Sequence, residues 1–87
     1  MATPFSYTIL TPDGPYRSGE CDSLVIPTPN GEIGVLAHHA PLVGAVKAGQ
    51  MRVMKDASVE KIEVTAGVVE IRNNAVSVMV EKAGPAA

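Results

Sequence analysis

The sequence predicts an all-β domain, a small two-sheet β-sandwich or flattened barrel of about eight to ten short strands. Three observations carry that expectation. Apolar residues fall at every second position in segment after segment, the period of a strand with one buried face. Clusters of Pro, Gly, Asn, Asp and Ser break these segments at roughly the 8 to 12 residue spacing of all-β domains. The alternating positions are rich in valine, whose branched side chain suits a pleated, half-buried surface.

The elements follow in chain order. Phe5, Tyr7 and Ile9 share one face of a first strand, which "TPDGP" at Thr11 to Pro15 ends. In the next strand Cys21 lies on the face opposite Glu20 and Asp22, a core position between two solvated carboxylates. "PTPNG" at Pro27 to Gly31 is a further turn, and Gly34 in the strand after it is expected where another backbone passes close. The segment Leu42 to Met54 is the ambiguous one, because Leu42, Ala45 and Val46 could share a helical face. Gly44 and Gly49 would each weaken such a helix by about 1 kcal/mol relative to alanine, so two strands joined near Ala48-Gly49 are expected. "KDAS" at Lys55 to Ser58 is another turn. Beyond it Ile62 and Val64 point inward between Lys61 and Glu63, and Val69 and Ile71 do so against Glu70 and Arg72. Asn73-Asn74 tolerates positive φ and predicts a tight hairpin into Val76, Val78 and Val80. A one-residue slip would expose each of these sets, so the register is strongly specified.

With 87 residues the chain is long enough for one domain and too short for two. We place the domain at 1–83 and an unfolded tail at 84–87. Hydrophobic residues make up 46% and charged residues 18%, which excludes the low-hydrophobicity signature of disorder. The net charge is −2, the seven Lys and Arg are scattered, and aromatic residues are few, so nucleic acid is not an expected partner. The single cysteine cannot form an internal disulfide, and a reducing compartment is expected. No stretch has the length of a membrane span and "MATPFSYTIL" has no signal-like apolar run, so no direct membrane insertion is expected.

The chain carries few chemical signatures. His38 and His39 are adjacent, and on an extended backbone they point to opposite faces, which ill suits one shared metal ion. No CxxC, HxH or HExxH accompanies them, and there is no GxxxxGK[ST] or GxGxxG phosphate cradle. Cys21 with a histidine would be a nucleophile and base, but no protease-type signature surrounds it and free cysteine is commonly a small buried hydrophobe. Glu20 and Asp22 share a strand face and read as solvated carboxylates rather than a cation site. No catalytic residue, cofactor site or metal site is therefore expected. A free-standing sandwich that binds carbohydrate or peptide would display surface aromatics, and only Phe5, Tyr7 and Tyr16 are present.

One long string is specific. "GEIGVLAHHAPLVGAVKAGQMRV", Gly31 to Val53, resembles the G-E-[IL]-G-x-x-x-x-H-A-P-L-[LV]-x-x-[ILV]-K-x-G-x-[ILMV]-R-[IV] pattern of the ε subunit of F-type ATP synthases, called δ in mitochondria. Ser18-Gly19 and the run Asp22 to Pro27 resemble the family's opening strands, and "VTAGVVEIRNNAVSVMVEKA" resembles its closing hairpin. Departures are local: Ala37-His38-His39 stands where the family has P-G-H, and Thr65-Ala66-Gly67 where it has S-G-G. Only His39 matches the family's histidine.

The resemblance implies a non-catalytic subunit at the foot of the central stalk. It would be packed on γ, rest on the polar loops of the c ring, and couple ion flow to the α3β3 head through γ. It implies a peripheral position on the cytoplasmic side of a bacterial plasma membrane, or its organellar equivalent. Carried over by position, Gly31, Glu32 and Ile33 would face the c ring, and Thr11, His39, Ala40, Pro41, Leu42 and Gly44 would face γ. Many members continue into a C-terminal helical hairpin that brakes hydrolysis and in some binds ATP. Gly84-Pro85 would interrupt a helix beginning there, so neither property is expected of this chain.

Overall fold

A computed structural model describes residues 3–86 and contains ten strands among them. These are β1 Phe5–Thr11, β2 Gly14–Cys21, β3 Ser23–Thr28, β4 Gly31–Leu36, β5 Leu42–Val46, β6 Gly49–Lys55, β7 Ser58–Val64, β8 Gly67–Arg72, β9 Ala75–Val80 and β10 Ala83–Pro85. They form two five-stranded sheets, sheet I in the order β2-β1-β9-β8-β5 and sheet II in the order β10-β7-β6-β3-β4. The expected sandwich is thus the observed fold. The ambiguous Leu42–Met54 segment is strand on both sides of Ala48, as expected, but no backbone passes close to Gly34, where an added Cβ would meet nothing within 4 Å. Among the described residues no helix is long and apolar enough to cross a membrane.

The alternation read from the sequence is the alternation of burial. Phe5, Tyr7, Ile9, Ile62, Val64, Val69, Ile71, Val76, Val78 and Val80 all lie in the core between the sheets, joined by Leu24, Ile26, Val35, Met51 and Val53. Cys21 is fully buried there, as its position opposite two carboxylates predicts. Sheet I closes through a parallel pairing of β1 with β9, in which Tyr7 faces Val76 and Leu10 faces Met79. This pairing joins the beginning of the domain to its end, so sheet I can be completed only once most of the chain has been brought together.

Turn chemistry sets the hairpins. Asn73 and Asn74 adopt φ of 53° and 61°, the left-handed pair that a two-residue turn between β8 and β9 demands. Asp56 takes φ 54° in the β6–β7 turn, and its N–H donates to Oδ2 of Asp22 at 2.7 Å. One of the two carboxylates on the β2 end is therefore spent on a turn. An Arg17–Glu60 ion pair links β2 of sheet I to β7 of sheet II across the flank of the sandwich.

Residues 84 and 85, read from the sequence as tail, instead extend sheet II. Gly84 and Pro85 lie opposite Glu63 and Ile62 in β10, which pairs antiparallel with β7. The outer edge of β7 would otherwise present unpaired backbone groups, and an edge strand is where proline's missing N–H costs nothing. Thr65 Oγ1 secures the approach to β10, accepting the N–H groups of Glu81 at 3.1 Å and Lys82 at 3.0 Å. Residues 1 and 2 of the expected domain and residue 87 of the expected tail lie outside the described residues.

Candidate functional interface

The two histidines sit in the connection from β4 to β5, which carries the chain from sheet II to sheet I. His38 takes φ 62°, and its backbone N–H donates to Asn74 Oδ1 at 2.7 Å. This is the position where the resembling family has glycine, so the conformation explains that glycine, and here an L residue adopts it under strain. The His39 N–H donates to the Leu36 carbonyl at 3.2 Å. Its ring Nδ1 lies 2.7 Å from the Ala40 carbonyl oxygen; a carbonyl only accepts, so this nitrogen carries the proton. Both histidines thus shape a turn, and among the described residues no three His, Cys, Asp or Glu side chains converge on a point where a metal could bind.

Gly31, Glu32 and Ile33 begin β4. Thr28 Oγ1 donates to the Gly31 carbonyl at 2.5 Å and accepts the Asn30 N–H at 3.3 Å, which holds the tip in shape, and Gly31 has φ 113°. Glu32 points out from sheet II and meets Arg52 of β6. Ile33 points the other way, into a notch of about 240 Å³ at the open side of the sandwich. Leu42, Gly44 and Val69 line the opposite wall of that notch. Ile33 of the set expected to face the c ring therefore meets Leu42 and Gly44 of the set expected to face γ, while Glu32 stands on the other face of β4.

Thr11 does not join them. Along sheet I, Leu42 pairs with Ile71, Ile71 with Val76 and Val76 with Tyr7, so Leu42 is level with Tyr7. Thr11 lies beyond Leu10, at the level of Val80 and Val46, and its Oγ1 is engaged in the β1–β2 turn with Gly14 and Asp13. Thr11 and the His39–Leu42 segment consequently mark opposite corners of sheet I.

Between those corners lies the outer face of sheet I. In register across it run Leu10, Met79, Val68 and Ala45, followed one row along by Thr8, Ser77, Glu70 and Val43. Val43, Val68 and Met79 are exposed, Val43 at 71%. These three are the residues that positional resemblance missed. Their signal was in the sequence: each is an apolar residue on the phase of its strand that faces water. On the outer face of sheet II a second row holds Leu36, Ser23, Met54 and Val59, with Leu36 and Val59 exposed.

A family described as "ATP synthase, Delta/Epsilon chain, beta-sandwich domain" matches residues 4–86. The chain is 36% identical over 85 residues to the ATP synthase epsilon chain of Desulfitobacterium hafniense (strain DSM 10664 / DCB-2), covering 98% of this chain and 64% of that relative. It thus spans somewhat under two thirds of the relative's length. In fold it is similar to a chain of the Euglena gracilis mitochondrial ATP synthase, OSCP/F1/c-ring in rotational state 1, with a TM-score of 0.85 at 22% identity over 91% of this chain and 51% of that one. It is also similar to a chain of the Tetrahymena thermophila mitochondrial ATP synthase central stalk and c ring, with a TM-score of 0.81 at 13% identity over 97% and 68%. At these identities the two structures speak to the fold alone.

Proposed function

Because this chain belongs to the family of the ATP synthase delta/epsilon-chain β-sandwich domain, we propose that it is the non-catalytic ε-type subunit of an F-type ATP synthase rotor. In this reading it clamps γ to the c ring, and so couples ion translocation to ATP synthesis or hydrolysis in the α3β3 head. It sits as a peripheral subunit on the face of the membrane that carries that head.

The observation that carries the reading is the exposed apolar face of sheet I, with Val43, Val68 and Met79 between the corners marked by Thr11 and Leu42. Contiguous exposed apolar surface on a small domain marks an interaction site. A sheet face backed by a close-packed core resists deformation under torque. The polar tip at Gly31 and Glu32 projects from the other sheet and suits hydrogen bonding to the c-ring loops. The sandwich thereby offers γ an apolar plate and the ring a polar contact.

The test is binding of γ by full chains that carry Val68→Glu, Met79→Glu or both. Both side chains stand on the solvent face, so the fold should survive, whereas a carboxylate buried in an apolar contact should weaken γ binding at least thirtyfold, about 2 kcal/mol. Unchanged affinity in the double variant contradicts the assignment of this face.

A further inference from the structure

Glu32 is not a free carboxylate at a hairpin tip. Arg52 stands on β6 and Glu32 on the edge strand β4, with β3 between them, and the guanidinium reaches over β3 to close a two-point fork. Nη1 donates to Oε2 at 3.2 Å and Nη2 to Oε1 at 3.3 Å. Twenty residues of sequence separate the two, and only the order β6-β3-β4 brings them together. In register Arg52 also faces Lys61 of β7, a like-charge pair that the Glu32 carboxylate offsets.

The geometry fixes more than proximity. Two parallel N–H···O bonds set the plane of the carboxylate as well as its position, which a single ammonium contact does not. Each carboxylate oxygen keeps a lone pair that the fork does not use, and the Glu32 side chain remains 53% exposed while that of Arg52 is 34% exposed. An exposed pair of this kind adds little to folding stability. Its consequence is that the fork favours one orientation of the carboxylate before any partner arrives, so part of the cost of immobilising a long side chain at an interface is already met.

We propose that Arg52 is the positioning residue for Glu32, holding its carboxylate in one orientation for hydrogen-bond donors of the c-ring loops. The inference rests on the c-ring reading above. Arg52 acts through Glu32 and does not touch the ring.

The test uses ATP synthase assembled with the full chain, and measures both rebinding of the head and stalk to c-ring membranes and ions pumped per ATP hydrolysed. Glu32→Gln and Arg52→Gln should each weaken rebinding about threefold to tenfold and lower the pumping ratio. The double variant should be no worse than Glu32→Gln alone, and Arg52→Lys should restore part of the loss, because it keeps the charge but not the fork. The thermal midpoint of every variant chain should stay within about 3 °C of the parent, since the pair is exposed. Loss in Glu32→Gln with none in Arg52→Gln overturns the positioning role and leaves the c-ring reading intact. Additive losses also overturn it, because Arg52 would then act independently. No loss in Glu32→Gln overturns the c-ring reading itself, and the proposal with it.

Discussion

The backbone N–H of His38 donates to the side-chain oxygen of Asn74 at 2.7 Å, and both residues have positive φ, 62° and 61°. The bond ties the connection leaving sheet II to the turn between the last two hairpin strands of sheet I. Two left-handed turns thus hold each other in place at one corner of the sandwich.

This relationship separates backbone strain from hydrogen bonding. Asn74→Gly keeps the left-handed turn accessible but removes the acceptor and adds glycine's unfolded-chain entropy, and should cost about 1 to 2 kcal/mol. His38→Gly keeps the N–H donor and relieves the Cβ clash of the left-handed conformation, against the larger chain entropy glycine has when unfolded. A net gain of about 0.5 kcal/mol is expected. Urea unfolding of the two variants checks both signs.

Gly67 and Gly31 are required for different reasons. A Cβ on Gly67 would lie 1.9 Å from the Met79 carbonyl oxygen and 2.9 Å from Val80 Cγ1, so backbone would have to move. Gly67→Ala should cost about 3 kcal/mol or more, a large fraction of the stability of a domain this size. A Cβ on Gly31 meets nothing within 4 Å, and its φ of 113° alone makes a side chain unfavourable. Gly31→Ala should therefore cost only about 1 to 2 kcal/mol. Denaturant midpoints should rank the parent above Gly31→Ala, and that above Gly67→Ala.

Cys21 sets a decline of stability at high pH. Burial, reinforced by the adjacent Asp22 carboxylate and opposed by Lys55, pushes its thiol from 9.0 up to about 11. The unfolded chain gives up this proton near pH 9 while the folded chain keeps it to about pH 11, so across that window the unfolded state binds fewer protons. Stability should be insensitive to this group below pH 9 and fall by about 1.4 kcal/mol per pH unit through the window, flattening near pH 11. Tyr7, also raised chiefly by burial, adds a loss of the same sign at high pH. Cys21→Ala should remove the Cys21 part of the slope, and a thiol reagent at pH 8 should label the native parent only at the rate of transient opening.

Core truncation tests the shared interior of the two sheets. Ile62 is fully buried on sheet II, and Ile62→Ala should cost about 2 to 5 kcal/mol. Calorimetry should show a lower midpoint with a single transition, because one core serves both sheets.

The strands themselves were legible because their period is local. Phe5, Tyr7 and Ile9, or Val76, Val78 and Val80, announce a buried face without reference to any other segment, and Asn73-Asn74 announces its turn. What the alternation leaves open is which strand lies beside which. The parallel β1–β9 pairing and the β6-β3-β4 order are long-range, so the Arg52–Glu32 fork had no local mark. Residues 83–85 carry neither alternation nor β-branched side chains, and become β10 only because β7 offers an edge. At the interface, resemblance pointed to Leu42 and Gly44, whose positions face the notch. The adjacent Val43 faces outward, and it was the off-phase valine rather than the motif residue that marked the exposed face.

A subunit that rides on the rotor of an ATP synthase should co-purify with it when the tagged full chain is drawn from gently solubilised membranes. γ and the c ring should come with it, together with α, β and ATPase activity, and stripping the chain should uncouple hydrolysis from ion pumping. Recovery of the chain alone, with γ and the c ring assembled and coupled in its absence, would contradict the rotor assignment.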